Sequence, residues 1–147
     1  MEGFYTKLSD PFVLTPPVKD PDGSAYLIQT RINGSGAKVY GGTLEGKVAY
    51  KDKVQLQAGL TLQRSIYDSP EEWSADEEHL SEKERYSDKI LRTPDVYGYF
   101  TATYMPVKAF SIALNGNYTG RMYVPHLLSK VNGEADVLVK SPAFFEL

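Results

Sequence analysis

The residues able to do chemistry are few. Nine acids crowd residues 66–94: Asp68, Glu71, Glu72, Asp76, Glu77, Glu78, Glu82, Glu84 and Asp88. The cluster 71–78 offers the carboxylates a Ca²⁺ ion needs. Its spacing matches no EF-hand loop and the central glycine is missing, so it reads as a solvated loop face. His79 and His126 stand alone in the sequence, and two isolated histidines do not make a zinc or iron site. Gly34-Ser35-Gly36 lacks the lysine and following helix of a phosphate loop, so it reads as a turn or bulge. No serine sits in a nucleophile elbow, and no Ser/His/Asp set is arranged recognisably. The chain has no cysteine, which excludes disulfides, thiolate metal sites and cysteine nucleophiles. The remaining candidates are aromatics in loops. Trp73, Tyr67, Tyr86 and Tyr123 can line a ligand site or simply hold loops down. Nothing argues for catalysis, and no cofactor or metal is expected.

Composition narrows the class. The chain has 147 residues, which predicts one domain long enough to bury a sizeable core. Charged residues are 24% and the hydrophobic set 41%, which is ordinary for an ordered protein. A net charge of −3 and a pI near 5.4 give no support to nucleic-acid binding. There is no apolar run of transmembrane-helix length, and residues 1–4 (Met-Glu-Gly-Phe) do not open a signal peptide. A mean hydropathy of −0.36 says nothing against a membrane β-barrel, whose strands alternate and average out.

The elements that must position these residues are strands. Eleven tyrosines and twelve glycines accompany scarce helix signals. Residues 54–63 alternate strictly, with Val54, Leu56, Ala58, Leu60 and Leu62 against Gln55, Gln57, Gly59, Thr61 and Gln63. Residues 110–119 set Phe110, Ile112, Leu114 and Tyr118 against Ser111, Ala113, Asn115, Asn117 and Thr119. Residues 39–50 set Tyr40, Leu44, Val48 and Tyr50 against Thr43, Glu45 and Lys47. Residues 97–104, 4–14, 25–33 and 141–147 complete the set. The expected fold is all-β, an antiparallel up-and-down meander of about six strands.

The connections sort by length. Turns at 50–53 and 105–108 are short, the second stopped by Pro106. Connections 15–24, 66–94 and 124–140 are long. In a meander, alternate connections lie at opposite ends, so every long loop shares one end. Short turns at one end and long loops at the other are the asymmetry of an outer-membrane barrel. The polar faces of 54–63 and 110–119 carry no charge, which suits a hydrated lumen. Tyr50 and Tyr104 stand at the short-turn ends, where an aromatic girdle belongs. Insertion 66–94 carries nine acids against four bases, or −5, leaving +2 for the rest. Ser69-Pro70-Glu71-Glu72 has the form of a helix start, predicting a short helix near 70–80.

The whole chain, 1–147, resembles a segment from the C-terminal part of the barrel of TonB-dependent outer-membrane receptors. The run Arg31-Ile32-Asn33-Gly34-Ser35-Gly36-Ala37-Lys38-Val39-Tyr40-Gly41-Gly42-Thr43-Leu44-Glu45-Gly46 is similar to one of that family's strands. Leu60-Thr61-Leu62-Gln63-Arg64-Ser65 with the acidic stretch after it is similar to the next strand and its extracellular loop. Leu91-Arg92-Thr93-Pro94-Asp95-Val96-Tyr97-Gly98-Tyr99 resembles a descending strand entered through Arg-x-Pro. Asn117-Tyr118-Thr119-Gly120-Arg121-Met122-Tyr123-Val124-Pro125-His126 resembles the following ascending strand and loop. Neither the family's plug domain nor its TonB box is visible, and its barrel has about 22 strands. The resemblance therefore implies an excised piece whose parent lies in the outer membrane of a Gram-negative bacterium.

That parent would import a scarce nutrient, such as a ferric chelate, cobalamin or an oligosaccharide, with energy delivered by TonB through the plug. Thr43, Glu45, Gln55, Gln57, Gln63, Asn115 and Asn117 would face the lumen, and Trp73 and Tyr123 would stand near the ligand entrance. The partners implied are outer-membrane lipid, TonB and the nutrient. The isolated piece is expected to self-associate through open strand edges. The alternative is a soluble antiparallel barrel or sandwich binding a small apolar ligand, with the same stripes turned inward.

Overall fold

The computed structural model describes residues 1–22, 26–129 and 131–147. The expected strand at 25–33 begins on Ala25, and the connection 15–24 ends on Gly23 and Ser24. Those positions lie outside the described residues.

The chain is all-β and antiparallel. Its long strands are β1 (Glu2–Leu8), β6 (Ala37–Tyr50), β7 (Val54–Glu72), β9 (Val96–Val107) and β10 (Phe110–Thr119). Between β1 and β6 lie β2 (Phe12–Leu14), β3 (Val18–Lys19), β4 (Leu27–Ile28) and β5 (Arg31–Asn33). Helix α1 (Glu82–Arg85) and β8 (Tyr86–Lys89) follow β7. Strands β11 (Tyr123–His126), β12 (Val137–Lys140) and β13 (Phe144–Glu146) follow β10. One seven-stranded sheet runs β1-β6-β7-β9-β10-β13, with β8 beside the far half of β7. Three two-stranded sheets, β2-β5, β3-β4 and β11-β12, sit within the long connections. Among the described residues no sheet closes into a barrel.

Register sorts the connections by end. Tyr50 pairs with Val54, and Val54 with Tyr104, so both short turns share one end of the sheet. Leu8 pairs with Ala37 and Ala37 with Tyr67, so the long connections after β1 and β7 leave from the other end. The one after β10 leaves there too, beside Tyr97. At the first turn Lys51 and Asp52 both have positive φ, 47° and 52°. That is the mirror-image hand which matches strand twist. The second turn comes two residues later than expected. Strand β9 runs through Pro106 to Val107, and residues 108–109 make the turn.

Three expectations about local structure are corrected. The strand at 4–14 is two strands, because Asp10 (φ 49°) bends the chain before Pro11. Strand β7 does not stop near Gln63 but continues to Glu72. The helix expected near 70–80 does not form. Its would-be capping residues are engaged elsewhere: the Ser69 N–H donates to Ser35 Oγ at 3.1 Å, and Glu72 pairs with Arg85 at 2.6 Å. Pro70 falls in an irregular stretch between the Ile66 and Glu71 pairings, where a missing N–H costs no ladder bond. The only α-helix among the described residues is the single turn α1. There the Glu84 carboxylate accepts from the Ser81 N–H (3.0 Å) and hydroxyl (2.6 Å).

A single open sheet has almost no interior. Ala37 is the one buried hydrophobic residue among those described. A compact monomer of 16.4 kDa exposes about 7,500 Å², whereas this chain exposes 10324 Å². One face of the sheet contributes to the excess. Leu44, Val48, Leu56, Leu60, Leu62, Ile112 and Leu114 are all exposed on it, Leu44 and Val48 by 63% and 66%.

Candidate functional site

The seven predicted lumen-facing residues come together on one face. Partners directly across an antiparallel pair share a side. Gly41 faces Gln63, Thr43 faces Thr61, Glu45 faces Gly59, and Ala49 faces Gln55. Across the next pair Gln55 faces Thr103, Gln57 faces Thr101 and Gly59 faces Tyr99. Thr101 and Tyr99 then face Asn115 and Asn117. Thr43, Glu45, Gln55, Gln57, Gln63, Asn115 and Asn117 therefore form one continuous polar surface over four strands.

Side-chain bonds tie parts of it together. The Gln57 amide donates to Glu45 Oε1 (2.6 Å) and to the Tyr99 hydroxyl (3.2 Å). Thr43 and Thr61 share a hydrogen bond at 3.0 Å. The Gln63 amide donates to the Pro94 carbonyl at 3.0 Å, which pins the start of β9 to β7. Tyr99 lies flat over Gly59, where a Cβ would sit 2.5 Å from its ring. On the opposite face Gly116 plays the same part beneath the stacked rings of Phe100 and Phe145, whose centroids are 5.9 Å apart.

Burial along β7 runs against what water would select. Gly59, Thr61 and Ser65 of the polar side are buried, while Leu56, Leu60 and Leu62 of the apolar side are exposed. The polar face is the sheltered one along this central strand.

Aromatic rings bracket the apolar face. Tyr50 and Tyr104 flank Val54 at the short-turn end, and Tyr5 stacks on Tyr40 (6.5 Å) toward the long-connection end. Between Tyr40 and Tyr50 this side of β6 carries Gly42, Leu44, Gly46 and Val48. From Tyr40 to Tyr50 the strand takes ten steps, about 33 Å.

The two predicted entrance residues lie at the long-connection end but in separate cavities. Trp73 lines one of about 380 Å³ with Phe12, Leu14, Tyr67 and Leu127. Its indole N–H donates to the Glu84 carbonyl (2.9 Å) and its backbone N–H to the Arg85 carbonyl (2.9 Å). Arg85 in turn bonds Glu72 (2.6 Å) and Glu77 (3.3 Å), so Trp73 and Arg85 lock α1 against the end of β7. Tyr123 lines an open groove of about 750 Å³ with Pro70, Tyr86, Lys89 and Leu138. Lys89 Nζ lies 4.3 Å from the Tyr123 ring centroid and donates to its hydroxyl at 3.3 Å, and Lys140 Nζ lies 5.4 Å from the same ring. Lys89 lines both cavities.

Sequence reasoning missed Lys89, Lys140 and a buried polar cluster at this end. Ser74, Asp76 and Asp136 are 0%, 2% and 4% exposed. The Ser74 hydroxyl donates to Asp136 Oδ2 at 2.6 Å, and the Asp136 N–H donates to Asp76 Oδ2 at 3.0 Å. The Asp76 N–H donates to Ser74 Oγ (3.0 Å) and the Ser129 N–H to Asp136 Oδ1 (2.8 Å). His79 Nδ1 lies 2.9 Å from Asp76 Oδ1. Each residue is unremarkable in the sequence, because its partner lies some sixty positions away. Among the described residues no group of acids and histidines is placed to hold a metal ion.

No family model matches the chain, and no curated protein or solved structure matches it. The class is therefore defined by the fold alone: an open antiparallel all-β wall, apolar on one face and polar on the other, with its loops gathered at one end.

Proposed function

We propose that this chain is a stretch of barrel wall from an outer-membrane, TonB-dependent receptor, and that its parent imports a scarce nutrient such as a ferric chelate, cobalamin or an oligosaccharide. The observation that carries the reading is the inversion along β7, where leucines are exposed and the glycine, threonine and serine of the other side are covered. A lipid-facing wall needs that arrangement, because its apolar side replaces the core. Tilted at the roughly 40° of a barrel strand, the 33 Å or so between Tyr40 and Tyr50 would make a band about 25 Å tall, the height of a barrel's apolar belt. In this reading Thr43, Glu45, Gln55, Gln57, Gln63, Asn115 and Asn117 line the lumen, and Trp73 and Tyr123 stand at the ligand entrance. TonB acts through the parent's plug. Edges β1 and β13 pair with neighbouring strands of the parent, or with other copies when the piece is isolated.

The soluble-barrel alternative requires Leu56, Leu60 and Leu62 to be covered by the protein itself. The test places a tryptophan on each face, Leu60→Trp and Gln57→Trp, in a Trp73→Phe background. The full chain is then mixed with phosphatidylcholine vesicles carrying brominated acyl chains. Quenching of Leu60→Trp well beyond Gln57→Trp is expected. A chain that stays monomeric in buffer, ignores vesicles and shields Leu60→Trp from aqueous acrylamide would overturn the reading.

A further inference from the structure

In the cavity beside Trp73 the acids are engaged and the cations are not. Among the described residues its charged walls are Glu71, Glu72, Lys89 and Arg92. Glu71 Oε1 accepts the Ser35 N–H at 2.7 Å, and Glu72 Oε1 pairs with Arg85 at 2.6 Å. Neither Lys89 nor Arg92 has a described carboxylate at ion-pair distance. The acids of the neighbouring cavities that Lys89 also lines, Glu82, Asp88 and Asp95, are exposed. Alternation along β8 turns Ser87 and Lys89 to the sheltered side, half-buried, and leaves Tyr86 and Asp88 exposed. The Tyr123 ring and hydroxyl hold the Lys89 ammonium in place, and Lys140 brings a second positive charge to that ring. An ammonium partly withdrawn from water and lacking a counter-charge gains more from an arriving anion than a hydrated surface lysine does. The other walls are aromatic. Tyr67 continues the polar side of β7 beyond Thr61, Gln63 and Ser65, and meets Trp73 and Phe12 around a space of about 380 Å³. That volume suits a small molecule.

We infer that this cavity binds a small aromatic carboxylate, its charge held by Lys89 and Arg92 and its ring set against Trp73, Tyr67 and Phe12. A neutral ligand leaves Lys89 as unpaired as before, and an anion without a ring leaves the aromatic walls unused. Charge and flat apolar surface therefore select together. The site rests on these residues alone. That the acid it holds belongs to the imported nutrient rests on the receptor reading.

The test is equilibrium dialysis of the full chain against radiolabelled benzoate, benzyl alcohol and acetate, which reads affinity whether the chain is single or assembled. Benzoate is expected to bind saturably, with benzyl alcohol and acetate each weaker on the order of tenfold. Lys89→Gln and Arg92→Gln are each expected to weaken benzoate on the order of tenfold without changing benzyl alcohol, and Lys89→Arg to retain most of the binding. Lys53→Gln, at the short-turn end, is the control. No saturable benzoate binding, equal binding of benzoate and either comparison compound, or an equal loss in Lys53→Gln and Lys89→Gln would overturn the site. Should Lys89→Gln lose the strand signal, Arg92→Gln decides, because its side chain is exposed. Failure here leaves the lipid-facing assignment standing, and failure of the vesicle test leaves the acid site standing.

Discussion

At the residue scale, Asp76 and His79 give the buried polar cluster its pH dependence. Burial pushes the Asp76 carboxyl up, but the Asp136 N–H and the ring and N–H of His79 outweigh it and hold the group below the usual carboxylate range. His79 is raised, first by its ring hydrogen bond to Asp76, against some loss from burial, and further by the charges of Asp76, Glu78 and Asp136. A lowered carboxyl contributes stability that is present above its unfolded value of about 3.9 and is lost as pH falls through the lower folded value. A raised histidine contributes stability that is complete below about 6.5 and is lost as pH rises through the higher folded value. Both contributions hold between those limits. NMR titration of the His79 ring is expected to give a midpoint above 6.5, and Asp76→Asn is expected to bring it down. A midpoint that Asp76→Asn leaves unmoved would show that the ring takes its charge preference elsewhere.

Elements succeed or fail here on close backbone approach and on which partner a capping residue finds. The hypothetical Cβ of Gly41 would overlap the Leu62 carbonyl oxygen and lie 2.8 Å from Gln63 Cα. Both neighbours are backbone, so no rotamer relieves the clash. Gly41→Ala is expected to destabilise the β6–β7 pairing by about 1–3 kcal/mol, read as a lower denaturant midpoint for strand signal. Gly46→Ala on the same strand meets nothing within 4 Å and serves as the control. Equal midpoints for the two variants would contradict the close approach. The displaced helix belongs to this scale too. Ser69-Pro70-Glu71-Glu72 has sound local helix-start chemistry, but the partners Ser35 and Arg85 take Ser69 and Glu72 into the extended end of β7. The box that forms, Ser81 with Glu84, has the same local form and lies where no strand competes.

For the whole molecule, the question is what covers an apolar face that the chain leaves open. Leu60 lies near the middle of that face, in line with Leu44 on β6 and Gly98 on β9. If lipid covers it, Leu60→Arg is expected to weaken association with vesicles by about 2–4 kcal/mol, the cost of a cation at mid-bilayer. Gln57→Arg, on the polar face, is expected to change it little. Vesicle flotation across a lipid titration measures both. Equal losses would mean that the two faces are not distinguished by the membrane. Without lipid, the exposed edges of β1 and β13 predict concentration-dependent assembly, seen as mass rising with loading in light scattering.

Alternation of residue types by itself determined most of the secondary structure. A period of two over 54–63, 110–119 and 39–50 admits only strands, and short turns between them admit only antiparallel neighbours. The split of the sheet into a Gln/Asn/Thr side and a Leu/Tyr side was legible for the same reason, since the pleat assigns sides without knowledge of the partner. Tertiary structure alone decided which side is sheltered, because both inversions satisfy the same alternation. It also decided how far β7 runs, where the helix turn falls, and that Trp73 and Tyr123 line different cavities. The joining of Ser74 and Asp76 to Asp136 was equally invisible. Each of these depends on contacts between residues distant along the chain, which no local pattern encodes.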